Sequence, residues 1–91
     1  MKAITIGEEA SLNWSDVADP ELNKGEVLIE VAASAINRAD LMQRRGFYPP
    51  PAGASPIMGL ECAGTVIQVS DGVERFKEGD LVCALLAGGG Y

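Results

Sequence analysis

Apolar and polar residues alternate along most of this chain with a period of two, and glycine- or aspartate-bearing turns punctuate the alternation. Met1 to Ile6 reads as an opening strand, closed by Gly7 and the acidic pair Glu8-Glu9. Leu12 to Ala18 alternates again and predicts a second strand. Asp19-Pro20 and Asn23-Lys24-Gly25 supply turn chemistry. The strongest strand signal is Glu26 to Ala33, a run rich in β-branched residues. Gly64 to Ser70 predicts another strand, followed by a tight turn at Asp71-Gly72. A second turn at Glu78-Gly79-Asp80 leads into a last strand over Leu81 to Leu86.

The period changes once. From Asn37 to Gly46 the pattern is helical: Asn37 is suited to the N-cap, Asp40 to the third helical position and Gly46 to the stop. That predicts a helix of about two turns. Phe47 to Pro56 follows with Pro49, Pro50, Pro51 and Pro56, so neither helix nor central strand can continue there. Many short strands and one small helix predict a mainly β fold, a partly open β-barrel, as one domain over residues 1–91. Gly88-Gly89-Gly90-Tyr91 is expected to be a turn or a flexible end, and the chain reads as interrupted there, with an unpaired terminal strand.

Composition narrows the function classes. With 47% apolar and 22% charged residues the chain is an ordinary globular one. A net charge of −6 argues against partners that need clustered Lys and Arg, so nucleic acid and anionic membranes are not expected. Arg44-Arg45 reads as a solvated helix end. No apolar stretch approaches the roughly 20 residues of a membrane span, and the N-terminus has no secretory pattern. A cytoplasmic protein is the default expectation. Cys62 and Cys83 stand in apolar surroundings and are expected to be buried free thiols, although their even number allows a disulfide. There is no histidine.

The run Gly59-Leu60-Glu61-Cys62-Ala63-Gly64-Thr65-Val66, continued by Val69, Gly72, Val73, Phe76 and Gly79-Asp80-Leu81-Val82, resembles the N-terminal domain of the medium-chain dehydrogenase/reductase superfamily. Ala32 to Gly46, with its Asn37-Arg38-Ala39-Asp40-Leu41 core, is similar to the quinone oxidoreductase branch, most of all the p53-inducible quinone oxidoreductase type. The resemblance covers essentially all 91 residues. It implies a GroES-like catalytic domain whose partner, a Rossmann domain binding NADPH, is not in this sequence. No strand–Gly-x-Gly-x-x-Gly–helix unit occurs here, and Gly88-Gly89-Gly90 has no helix after it to receive a pyrophosphate.

The resemblance also implies a metal-free site. In the zinc-dependent alcohol dehydrogenases of the superfamily a metal-binding Cys stands at the position of Asn37 and a His at that of Leu60. Asn37 and Leu60, with no histidine anywhere, leave no adequate ligand set for a catalytic zinc.

Each remaining candidate has two readings. Asn37 matches a cleft residue beside the nicotinamide that could bond acceptor or cofactor, yet it also serves as a plain N-cap. Asp40 matches a residue beside the cleft, and an acidic residue in a first helical turn is stabilising anyway. Arg38 matches a position that meets cofactor phosphate in some relatives, against a solvated Arg. Tyr48 is expected to stack on a flat acceptor, against packing in its loop. Leu60 would give an apolar wall. Glu61 is expected to be buried behind the site as an organiser, a placement that requires a partner. The implied reaction is hydride transfer from NADPH to a quinone. Enoyl or alkenal reduction, and a non-catalytic binding module, remain open, and a homodimer is the family's expectation for the whole enzyme.

Overall fold

The computed structural model of the chain describes residues 1–46, 49 and 51–91. Five strands and one helix follow in order: β1 (Lys2–Ile6), β2 (Leu12–Asp16), β3 (Val27–Ser34), α1 (Arg38–Arg44), β4 (Glu61–Val69) and β5 (Leu81–Leu85). The expected elements are all present, with strand ends moved by up to three residues. A short 3-10 turn at Glu8–Ala10, which the acidic pair did not announce, joins β1 to β2.

The strands form two separate antiparallel sheets, β1-β2 and β3-β4-β5, so the barrel is open, in keeping with the mainly β expectation. In the hairpin Ile4 stands opposite Trp14. The N-terminal ammonium at Asp19 and Lys2 at Asp16 make exposed ion pairs, a type that contributes little. The second sheet has two register breaks. Between Leu28 and Ile29 the partner skips Ile67, and between Val31 and Ala33 the extra residue is Ala32. Such bulges bend a strand and increase its twist. At the second break Gly64 faces Glu30 so closely that a Cβ there would drive into the Glu30 carbonyl oxygen.

The core is small: among the described residues Ala3, Met58, Cys62 and Val66 are its buried apolar members. A chain of this size buries a modest share of its surface. β5 is an edge strand with alternating exposure, and Leu81 and Leu85 are 85% and 87% exposed. The same alternation corrects the expectation for the second thiol. Cys83, at the middle of β5, is exposed, whereas Cys62 on the central strand is buried, and both are free.

Candidate functional site

The chain leaves β3 at Ser34 and stays extended through Asn37 (φ −117°, ψ 159°) before α1 begins. The Asn37 N–H donates to Oδ2 of Asp40 at 2.8 Å, and the Asp40 N–H donates back to the Asn37 carbonyl at 3.0 Å. The Asp40 carboxyl therefore satisfies a backbone donor that the first helical turn cannot satisfy within itself. Its position also suits the positive end of the helix dipole. Asp40 is 1% exposed, and its other oxygen, Oδ1, has no hydrogen-bond partner among the described residues.

Tyr91 completes the arrangement. Its hydroxyl donates to the same Asp40 Oδ2 at 2.7 Å, across 51 positions of sequence. It is delivered there by the glycine run, which is neither free nor a simple turn as expected. Gly88 to Tyr91 lies along Ile57 to Gly59, with Gly89 N–H to the Ile57 carbonyl at 2.7 Å, Gly90 N–H to the Gly59 carbonyl at 3.1 Å and Tyr91 N–H to the Met58 carbonyl at 3.0 Å. Gly90 is buried in this contact. Burial pushes the Tyr91 hydroxyl up to about 12, helped by the hydrogen bond to Asp40 and by its charge. The phenol consequently keeps its proton, and remains a donor, throughout neutral conditions.

On the other side, Asn37 Nδ2 donates to Glu61 Oε1 at 3.3 Å. A carboxylate oxygen only accepts, so this bond turns the amide nitrogen toward Glu61 and, among the described residues, leaves its second N–H for another partner, while the amide oxygen faces the Asp40 N–H of the capping box. Glu61, the first residue of β4, is half-buried, not buried as expected. It sits at a strand end, where one amide donor suffices as partner.

Among the described residues, the side chains of Arg38 and Leu60 make no hydrogen bond within this cluster. Arg38 is exposed and in no ion pair among the described residues. Leu60 is half-buried, and its carbonyl accepts the Leu86 N–H at 2.6 Å. Its side chain has no polar role in the cluster. Tyr48 lies outside the described residues. Among the described residues no group of three His, Cys, Asp or Glu side chains stands close enough to hold a metal ion. Among those residues, too, no helix is long and apolar enough to cross a membrane.

A cavity of about 630 Å³ opens between the β1-β2 hairpin and β3, lined by apolar side chains including Trp14, Leu28, Val31 and Ile67. Neither Asn37 nor Asp40 reaches it. Tyr91 alone belongs to both, standing between the apolar cavity and the polar cluster.

Comparison with known proteins places the chain in a family. Residues 23–90 match the family described as the alcohol dehydrogenase GroES-like domain. The chain is 37% identical over 87 residues to an acryloyl-coenzyme A reductase of Metallosphaera sedula, covering 94% of this chain and 26% of that enzyme. A probable oxidoreductase from Mycobacterium abscessus superimposes with a TM-score of 0.79 at 32% identity, over 100% of this chain and 30% of that one. Escherichia coli quinone oxidoreductase complexed with NADPH superimposes with a TM-score of 0.71 at 33% identity, over 94% of this chain and 27% of that one. This chain thus spans about a quarter to a third of the length of these proteins.

Proposed function

The chain belongs to the alcohol dehydrogenase GroES-like domain family, and on that premise we propose that it forms the acceptor side of an NADPH-dependent, zinc-independent oxidoreductase that reduces quinones. The observation that carries this reading is the Asn37 carboxamide, turned by its bond to Glu61 so that, among the described residues, its second amide N–H is left for a ligand. A carbonyl acceptor gains negative charge on oxygen as hydride arrives, and a fixed N–H aimed at that oxygen lowers the barrier.

The residues present fit the nicotinamide end of a dinucleotide better than its phosphates. Asn37 offers an amide donor that suits a carboxamide oxygen, while Arg38 is the sole cation of α1's first turn. NADPH, when bound, supplies the hydride. Asn37 orients the acceptor. Tyr91 keeps its proton and Asp40 is shielded from solvent, so the proton that completes reduction comes from water.

The similarity to an acryloyl-coenzyme A reductase supports a second reading, in which the acceptor is an enone or enoyl thioester. Both are tested in a protein that joins residues 1–91 to the nucleotide-binding part of the Escherichia coli quinone oxidoreductase. NADPH oxidation is followed with a soluble quinone and with an enone. We expect Asn37→Ala to lower quinone kcat/KM roughly 100-fold, the usual cost of one charge-stabilising donor. Turnover on the enone alone would move the assignment to the second reading. Unchanged turnover in the variant would remove Asn37 from the site.

A further inference from the structure

We infer that Tyr91 is a positioning residue for Asn37, acting through Asp40, an inference that rests on the placement of Asn37 at the acceptor. The path is short and continuous. The Tyr91 hydroxyl and the Asn37 backbone N–H donate to one and the same oxygen of Asp40, at 2.7 and 2.8 Å. Two donors on one oxygen fix that oxygen, and through it the residue at which extended chain becomes helix.

Neither end of the path is free to drift. Asp40 is almost wholly shielded from water, so its carboxylate depends on protein donors for stabilisation. Tyr91 is anchored through its own backbone N–H on Met58, a buried core residue. The glycine run that carries it is pressed against Gly59 with no space for side chains between them. Asn37, in contrast, is half-buried, and among the described residues its side chain is held only by the capping box at its own helix start and by the 3.3 Å bond to Glu61. A side chain held by its own helix start and one long bond takes its position from its backbone, and that backbone is held by Asp40. Tyr91 thus ties the rigid core around Met58 to the one amide aimed at the acceptor. Groups that stabilise charge must be held to a fraction of an ångström, which is the task such a tie performs.

Two sets of measurements test this. In the 91-residue chain, amide hydrogen exchange is recorded by NMR for Asn37 and for Val66, whose N–H bonds the Asp80 carbonyl in the core sheet. Tyr91→Phe should speed exchange at Asn37 about 10-fold, the effect of weakening one charge-assisted bond, with Val66 unchanged. Equal exchange at Asn37 in variant and parent would overturn the inference. If the variant loses protection at Val66 as well, the parent chain itself decides. A tyrosinate titration near 12 in a Tyr48→Phe background, lowered by Asp40→Asn, supports the contact, and a value near the ordinary ~10 sinks it.

In the joined protein, Tyr91→Phe should lower kcat/KM about 10-fold, and Asn37→Ala with Tyr91→Phe should be no worse than Asn37→Ala alone. A merely structural Tyr91 would give additive losses, which would overturn its positioning role. Loss in Asn37→Ala without loss in Tyr91→Phe would likewise refute the relay while leaving the function intact. No loss in Asn37→Ala would refute the function, while the exchange data would still report the tie.

Discussion

Gly59 and Gly90 lie backbone to backbone, the Gly90 α-carbon 2.7 Å from where a Cβ on Gly59 would stand. Gly59 also has a φ of 110°, which side chains rarely adopt. Gly59→Ala should therefore cost about 3 kcal/mol, from overpacking added to backbone strain. Gly25→Ala serves as the control, since Gly25 has φ 82° but nothing within 4 Å, and should cost about 1 kcal/mol. Thermal or urea denaturation of both variants reads the difference. Equal losses would mean that the glycine run is not pressed against Gly59.

Alkaline pH should loosen the fold through Tyr91. Its folded value lies near 12, above the ordinary value of about 10 in an unfolded chain. Below about 10 both states keep the proton and the contribution is complete. Between about 10 and 12 the unfolded state binds fewer protons, so stability falls as pH rises. Urea midpoints measured across that window should drop for the parent and drop less for Tyr91→Phe. Parallel curves would remove Tyr91 from the linkage.

The two thiols should react at different rates. Burial, with a smaller effect of the neighbouring Cys83, pushes the Cys62 thiol up, and its side chain is shielded. Cys83 is exposed on the edge strand. Under native conditions an alkylating reagent followed by mass spectrometry should modify Cys83 first and Cys62 only on unfolding. Simultaneous modification would show that β4 opens without global unfolding.

Met58 is 3% exposed, and its carbonyl receives the Tyr91 N–H, so the small core and the site share this residue. Met58→Ala should cost about 3 kcal/mol by leaving a cavity. It should also raise exchange at the Tyr91 amide. A loss well under 1 kcal/mol would mean that this end of the core collapses to fill the gap.

NADPH should give no detectable calorimetric heat with the 91-residue chain, because no glycine-rich strand–turn–helix exists in it to hold the pyrophosphate. Micromolar binding would place a nucleotide site within these residues and end the division of labour proposed above.

What could be read from the sequence is what local rules control. β3 and β4 were legible because β-branched residues recur at period two, and α1 because Asn37, Asp40 and Gly46 stand at its start, first turn and end. Its third-position acid bonds back to the Asn37 N–H as the spacing implies. The exposure of Cys83 was missed because an apolar run looks the same on an edge strand as on a central one. The ordering of the glycine run is hidden for a related reason. Without side chains it carries no burial pattern, and its ordering comes from backbone bonds to Ile57, Met58 and Gly59, some 30 positions away. The role of Tyr91 is not legible locally because its partner is 51 residues distant. The one available hint was a polar aromatic directly after a flexible run, placed where side-chain freedom would otherwise be wasted.

The bare rim of β5 makes the shelf life of this chain a matter of ionic strength. Leu81 and Leu85 face solvent on a strand that has no second neighbour among the described residues, a template on which further strands can stack. At net charge −6, like-charge repulsion opposes association of copies in dilute buffer. Salt at about 1 M shortens its reach to about 3 Å, and titration toward the isoelectric point of 4.4 abolishes it. Clear solutions at neutral pH and low salt should therefore turn turbid along either route, and a lysine in place of Leu81 should delay the clouding most along the salt route.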